Sequence, residues 1–249
     1  MSAIDLPDHR TRTVRFRWVS IIGSLLAAAL FLGSAVLQLV ASLQRWVVFR
    51  NSPEGANFAA EDHLYDYTFP WAPWEPIGTA AEFFGAGTLL MAAGVLVMPL
   101  GVSLIARATV GRGVAVLVII VEIVLAILVA GSFAIHGAHA LLSGLEGSPS
   151  ALQGFGALGW VAVFGLVALA VLWFRKSRAA MLACGFLFGA TGLGYLLATF
   201  VIAPMVAGYA SHDTTPWSET VVAASTAAAG IAMIVVATAT VLHRGPRAD

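Results

Sequence analysis

Residues 114–135 read VAVLVIIVEIVLAILVAGSFAI, and this stretch decides the class of fold. It contains a single charged residue, Glu122. A helix needs about 20 mostly apolar residues to cross the roughly 30 Å hydrocarbon core of a bilayer. Since the bilayer core offers no water to bond with the backbone, the stretch is predicted to be a membrane-spanning helix.

Five further apolar stretches flank this one, and together they predict an all-α transmembrane bundle. The six predicted spans are about 18–43, 79–104, 114–140, 157–174, 180–204 and 220–242. Residues 1–249 are predicted to form a single membrane domain, with a polar tail over 1–16 and an outer loop over 45–78. The composition is 59% hydrophobic and 10% charged, whereas a soluble domain is about a quarter charged, so a water-soluble fold is excluded.

The charges balance, but they are separated along the chain. There are 13 basic and 13 acidic residues. Six alternating spans place most basic residues on one side: Arg10, Arg12, Arg15, Arg17, Arg107, Arg112, Arg175, Lys176, Arg178, Arg244 and Arg247. Only Arg45 and Arg50 fall on the other side, with most of the acidic residues. Because basic residues accumulate in cytoplasmic loops, both termini are predicted to be cytoplasmic and the protein to lie in the plasma membrane.

The same features limit the partners and cofactors. A net charge of zero gives no basic field for nucleic acid, and the single Cys184 excludes an internal disulfide. The chain has no GxxxxGK phosphate loop, so it is not expected to hydrolyse ATP by itself. The predicted partners are the lipid bilayer and either a second copy or another membrane subunit, which would pack against the Gly/Ala-rich helix faces.

Glu122 is the carboxyl group deepest in a predicted span. At about 100° per residue, it shares one side of its helix with Ser132, His136 and His139. No Lys or Arg is predicted inside a span to neutralise it, so we expect it to be protonated, hydrogen-bonded or exposed to a wet cavity. Glu122 and Ser132 are therefore the candidate proton or cation site. The alternative is that this polar stripe only joins helices.

His136 and His139 are spaced so that both can face one metal ion. His63 and His212 lie at the same predicted level, as do Asp62, Asp213 and Glu146. Histidine and carboxylate groups are typical ligands of zinc and other transition metals. The pattern suggests a transition-metal site at the outer face, with ordinary interfacial histidines as the alternative; no other cofactor is expected.

The outer loop carries an aromatic and proline-rich segment over residues 65–76. We interpret Tyr65, Tyr67, Trp71 and Trp74 in two ways. Aromatic side chains favour the membrane interface, so they can form a girdle on the headgroups. They can also line the mouth of a ligand site and bind a cation over their ring faces.

Thr79 and Glu82 lie where the second predicted span begins. Their spacing matches a capping box, in which each side chain bonds the other residue's backbone N–H group. We therefore assign them to helix capping rather than to function.

These observations predict a multi-pass membrane protein that handles a small solute or ion, either as a transporter or as a membrane subunit of a larger complex. Two alternatives stay open. One is a metal-dependent enzyme with its site at the outer face, although an enzyme is the less favoured class. The other is a structural assembly partner without chemistry of its own. A polar cavity would favour transport, whereas clustered histidines would favour the enzyme.

Overall fold

The structure, a computed structural model, describes residues 9–52, 62–103, 112–210 and 214–242. Within these ranges the chain forms helices and no strands. The α-helices are α1 (His9–Leu43), α2 (Ala80–Val102), α3 (Arg112–Glu146), α4 (Gly159–Phe174), α5 (Arg178–Phe188), α6 (Gly192–Leu197), α7 (Ala203–Ala207) and α8 (Ser218–Leu242).

Shorter helical turns extend several of these helices. A π turn over Gln44–Val48 and a 3₁₀ turn over Phe49–Asn51 continue α1. A 3₁₀ helix over Ala151–Leu158 leads into α4, and a π turn over Ala198–Ile202 joins α6 to α7. Residues 62–79 begin with a 3₁₀ turn over Asp62–Tyr65 and lead into α2. They are called the cap below, and the end of the bundle that carries them is the cap end.

Five helical segments of the described chain are long and apolar enough to cross a membrane. They are Arg17–Asn51, Ala80–Val102, Gly113–Glu146, Ala151–Phe174 and Ser218–Leu242. The pair Arg178–Phe188 and Gly192–Ala207 makes a sixth crossing if the bent pair is counted as one span. The predicted all-α membrane bundle is confirmed in this form.

The long helices pack as a closed ring in the order α1, α2, α3, α4, α5 and α8, with α8 returning to α1. Apolar side chains from all six fill its centre, among them Phe31, Met98, Val129, Trp173, Leu187 and Met233. Apolar side chains on the opposite faces stay exposed, for example Leu117, Ile120 and Ile127 on α3. An apolar outer face is the surface that a lipid bilayer covers.

Glycine allows α2 and α3 to approach closely. A Cβ atom built on Gly85 would lie 2.4 Å from the backbone N of Leu141 and 2.6 Å from the carbonyl oxygen of Gly137. No other residue fits there without moving a backbone, which is the close packing that small helix faces permit in lipid. The glycines of α5 and its end differ: Gly185 has no neighbour within 4 Å, whereas Gly189, directly after α5, meets Ser225 of α8.

The fifth predicted span, 180–204, is not one straight helix. The chain bends by 73° between Phe188 and Gly192. Thr191 begins α6 as its N-cap, accepting a bond from the N–H of Gly194, and its hydroxyl donates to the carbonyl oxygen of Phe188 at 2.7 Å. A Cβ atom on Gly194 would lie 2.1 Å from that carbonyl oxygen, so glycine makes this turn possible.

Candidate functional site

A buried ion pair joins α8 to the turn after α1 at the cap end. Arg45 Nη1 lies 2.7 Å from Glu219 Oε1, and the two side chains are 0% and 2% exposed. Trp46 Nε1 donates to the other carboxylate oxygen, Oε2, at 2.6 Å. Both oxygens of Glu219 are therefore occupied, which a charge removed from water requires.

Local backbone geometry brings these groups together. Arg45 and Trp46 lie in the π turn that ends α1, a wider turn that is often found at functional positions. Glu219 lies in the first turn of α8, two residues after Trp217, whose φ of 74° is unusual for a bulky residue. Such a conformation persists only where surrounding contacts hold it, and here it precedes the carboxylate of the ion pair.

Asp66 brings a second carboxylate close to the same guanidinium group. Its Oδ1 lies 3.9 Å from Arg45 Nη1 and accepts hydrogen bonds from the N–H and the hydroxyl of Thr68. The Asp66 side chain is 30% exposed, unlike Glu219. Two carboxyl groups, one from the cap and one from α8, thus lie near the same guanidinium group.

Tyr67 lies against this group and is completely buried. Its ring packs edge-on to Phe84, with 5.7 Å between centroids, and the Arg45 guanidinium carbon lies 5.9 Å from its centroid. Burial, reinforced by the charge of Glu219, raises the pKa of Tyr67 well above its ordinary value. The phenol is therefore a neutral hydroxyl, and among the described residues it has no hydrogen-bond partner.

A cavity of about 420 Å³ opens beside these side chains. Its wall is built from the cap, from four parts of the helical ring and from the break between α5 and α6. The lining residues are Asp66, Thr68, Phe69, Phe84, His136, Gly156, Gly159, Ala190, Thr191, Gly192, Tyr195, Glu219 and Val222. A volume of this size lies in the range of small-molecule sites, about 300–1,000 Å³.

A second cavity, of about 50 Å³, adjoins the first and shares His136, Thr191 and Gly192 with it. It reaches His139 and Ser132 on α3. Ser132, a predicted site residue, donates to the carbonyl oxygen of Leu158 at 2.7 Å and so joins α3 to the segment before α4.

Glu122, the other predicted site residue, is found at the opposite end of the bundle and lines neither cavity. The expectation that it has no basic partner is wrong. Lys176, from the short connection between α4 and α5, forms a salt bridge with Oε1, and Ser103 donates to Oε2 at 2.6 Å. The long lysine side chain reaches into the bundle from the loop, which a count of charges within spans does not detect.

The predicted metal ligands are not gathered at one point. His139 uses both ring nitrogens, Nδ1 with Ser150 at 2.8 Å and Nε2 with the carbonyl oxygen of Pro70 at 3.0 Å. His136 stacks on Phe69, and His63 is exposed. His212 lies outside the described residues, as does Asp213. In the described ranges no three His, Cys, Asp or Glu side chains are placed to hold a metal ion.

The four predicted mouth aromatics do not line the larger cavity. Tyr65 packs on Phe49 with centroids 4.9 Å apart, Tyr67 and Trp74 are buried in the cap, and Trp71 is exposed. Phe69 is the cap aromatic in the cavity wall. The aromatic content of the loop did not identify Phe69, because its position depends on contacts with His136 and His139 of α3.

The predicted capping box between Thr79 and Glu82 is wrong, because a different residue bonds Thr79. Thr79 precedes α2 as expected, but it makes no capping bond of its own. Gln44, from the end of α1, bonds it instead: Gln44 Nε2 donates to the Thr79 hydroxyl at 3.0 Å, and Gln44 Oε1 accepts from the Thr79 N–H at 3.1 Å. Glu82 lies beside Gly144 of α3. Gln44, which is distant in sequence, therefore accepts the Thr79 N–H group in place of Glu82.

Sequence reasoning did not select Arg45, Asp66 or Glu219. One signal was available, since Arg45 was a basic residue on the predicted acidic side, next to the apolar run Trp46-Val47-Val48. A lone cation there needs an anionic partner. No family model, curated protein or solved structure matches this chain.

Proposed function

We propose that this membrane protein is a small-solute transporter whose substrate binds in the 420 Å³ cavity at the cap end. The observation that carries the proposal is the make-up of the cavity wall. It combines two carboxylates with the broken part of the fifth span, Ala190 to Gly192. A few charged groups in an otherwise apolar wall are typical of small-molecule sites, and interrupted helices are common at transporter binding sites.

The broken span has a direct role in this proposal. An interrupted helix is tolerated in a membrane where its backbone lies in protein or borders a wet cavity. Here the residues of the break border both cavities. Rotation of α6 and α7 about the break would change the cavity without disturbing the packing of α5 on α8.

The opposite end supplies the closure that alternating access requires. Three residues meet there: Ser103 directly after α2, Glu122 of α3 and Lys176 of the α4–α5 connection. Glu122 is fully buried. We propose that this salt bridge holds the opposite end shut while the cap end is open. Glu122 then acts in the conformational cycle rather than as the site where a proton or cation binds.

The separation of charge along the chain indicates the side of the membrane to which the cavity opens. Arg175, Lys176 and Arg178 lie at the end opposite the cap. Because basic loops favour the cytoplasm, we propose that the cap faces outward across the plasma membrane and that both termini are cytoplasmic. No observation on the described residues favours the metal-dependent alternative, because both ring nitrogens of His139 are already bonded.

A bulky side chain placed in the cavity tests the proposal. Gly192 lines the cavity, and a Cβ atom there meets nothing within 4 Å. We expect Gly192→Trp to lower solute uptake into proteoliposomes by about tenfold or more, because the indole occupies the binding space. The first measurement is a panel of amines, amino acids, sugars and carboxylates, scored by thermal stabilisation of the wild type in nanodiscs and then by uptake.

Gly185→Trp is the matched control. Gly185 lies on α5, also with open space around it, but it does not line the cavity. Uptake by this variant should stay within about twofold of the wild type. The proposal is rejected if no solute in the panel is bound and taken up, or if the two tryptophan variants behave alike.

A further inference from the structure

We propose that the cap-end cavity recognises an organic ammonium group and that Asp66 is its counter-ion. This inference rests on the proposed function, since it assigns a ligand chemistry to the same cavity. The ammonium group can belong to a free solute or to a lipid headgroup. Both present the same positive charge to the carboxylate.

The balance of charge around the cavity is the first reason. Asp66 and Glu219 line it, whereas no lysine or arginine appears among the described residues of the wall. The nearby cation is Arg45, which is 0% exposed and bonded to Glu219. Both oxygens of Glu219 are therefore occupied by Arg45 and Trp46, whereas Asp66 lies farther from the guanidinium group, at 3.9 Å, and borders the cavity.

The hydrogen bonds of Asp66 also support an ammonium ligand. Both hydrogen bonds from Thr68 reach Oδ1, which is also the oxygen nearest Arg45. Within the described part of the chain, no hydrogen bond to Oδ2 is found. One carboxylate oxygen is thus held in place while the other is available to a ligand, as a preformed cation site requires.

The size and the apolar part of the wall exclude a bare metal ion as the best occupant. Phe69, Phe84 and Val222 lie in the wall, and the volume is about 420 Å³. A metal ion would need several oxygen ligands converging within a few ångströms. An ammonium group with an attached organic body satisfies the carboxylate and the apolar surfaces together.

The test uses choline and its neutral carbon isostere, 3,3-dimethyl-1-butanol. The protein is placed in nanodiscs that contain only phosphatidylglycerol, so that no lipid amine competes. We expect choline to bind at least about tenfold more tightly than the isostere, because only choline carries the charge. Asp66→Asn should remove this preference, since the amide keeps the Thr68 bond through its Oδ1 but loses the charge.

Glu75→Gln is the control, because Glu75 is an exposed cap carboxylate that does not line the cavity. It should bind choline like the wild type. Thermal unfolding of all variants without ligand shows whether Asp66→Asn still folds. If it does not fold, the affinities of the wild type for choline and for the isostere alone decide whether the cavity prefers a positive charge.

A second arm separates the two sources of the ammonium group. Phosphatidylethanolamine is added to the nanodiscs, and lipid bound to the protein is counted by native mass spectrometry. A headgroup ligand is retained by the wild type and Glu75→Gln but lost from Asp66→Asn, and it displaces choline. A free solute is indicated if choline affinity is unchanged by this lipid.

Equal affinity for choline and the isostere overturns the inference, as does an unchanged preference in a folded Asp66→Asn. The proposed function survives that result if another solute of the panel is taken up and Gly192→Trp blocks it. If no solute of any class depends on the cavity, the proposed function itself fails. The two failures are therefore distinguishable.

Discussion

The molecule buries an ion pair at each end, and the two differ in what surrounds them. At the cap end, Arg45 and Glu219 lie next to a cavity and a second carboxylate, Asp66. At the opposite end, Lys176 and Glu122 lie outside both cavities. Burial of charge therefore does not by itself mark a ligand site. The proposed ligand site is at the end where a second carboxylate borders a cavity.

Replacement of Arg45, the cation at the cap end, is expected to have the largest effect on the free energy of unfolding. Arg45→Met should lower the free energy of unfolding by about 3–5 kcal/mol, because Glu219 is left buried without its partner. The measurement is chemical or thermal unfolding in nanodiscs or detergent. Arg50→Met is the control, since Arg50 is exposed and should change stability by less than about 0.5 kcal/mol.

A loss below about 1 kcal/mol in Arg45→Met would show that the ion pair contributes little. The double variant Arg45→Met/Glu219→Gln sharpens the result. Its stability should recover part of the loss, because a neutral amide costs less to bury than an unpaired carboxylate.

Replacement of Lys176, the cation at the opposite end, is expected to have a smaller effect on the free energy of unfolding. Lys176 is 15% exposed, so water partly screens it. Lys176→Met should cost about 2 kcal/mol, and adding Glu122→Gln should recover much of that cost, since the remaining Ser103 bond does not need a charge. Arg175→Met, at an exposed neighbouring position, is the control.

The same variants test the closure proposed for this end. If Glu122 and Lys176 hold the bundle shut, the double variant should label faster with a thiol reagent at a cysteine introduced at Val102, which is fully buried beside Ser103. Equal labelling rates in the wild-type background and the double variant would remove the proposed closure, whatever the stability.

The smallest effect on the free energy of unfolding is expected for Tyr67→Phe, which should stabilise the protein rather than destabilise it. Tyr67→Phe should leave the ligand-free protein unchanged or stabilise it by about 1 kcal/mol, because it removes a buried hydroxyl without a partner in the described chain. Tyr209→Phe, at an exposed position, should have no effect. A clear destabilisation by Tyr67→Phe would mean that the hydroxyl is already bonded.

Tyr67 also predicts a dependence on pH. Its folded-state pKa is raised, so the unfolded chain loses the phenolic proton first as pH rises. The contribution to stability is complete below about pH 10, the ordinary tyrosine pKa, and falls above it. Alkaline unfolding curves of the wild type should therefore be steeper than those of Tyr67→Phe.

The bundle could be predicted from sequence because its cause is local. Each span needs only its own run of apolar residues, as in 114–135. The ion pairs could not be predicted, since Arg45 and Glu219 are 174 positions apart and Glu122 and Lys176 are 54 apart. The break after Phe188 was missed because the residues from Gly189 to Gly192 carry no charge and so do not interrupt the uncharged run.

The bend between α5 and α6 also bears on how the chain enters the membrane. Helix α5 has 11 residues, which cover about 16 Å, roughly half of a hydrocarbon core. Such a segment is too short to cross the bilayer alone, so it must enter together with α6 and α7, with which it forms one uncharged run. Once α6 and α7 have left the ribosome, α5 should therefore be protected from water-soluble reagents, even in a chain stalled before α8.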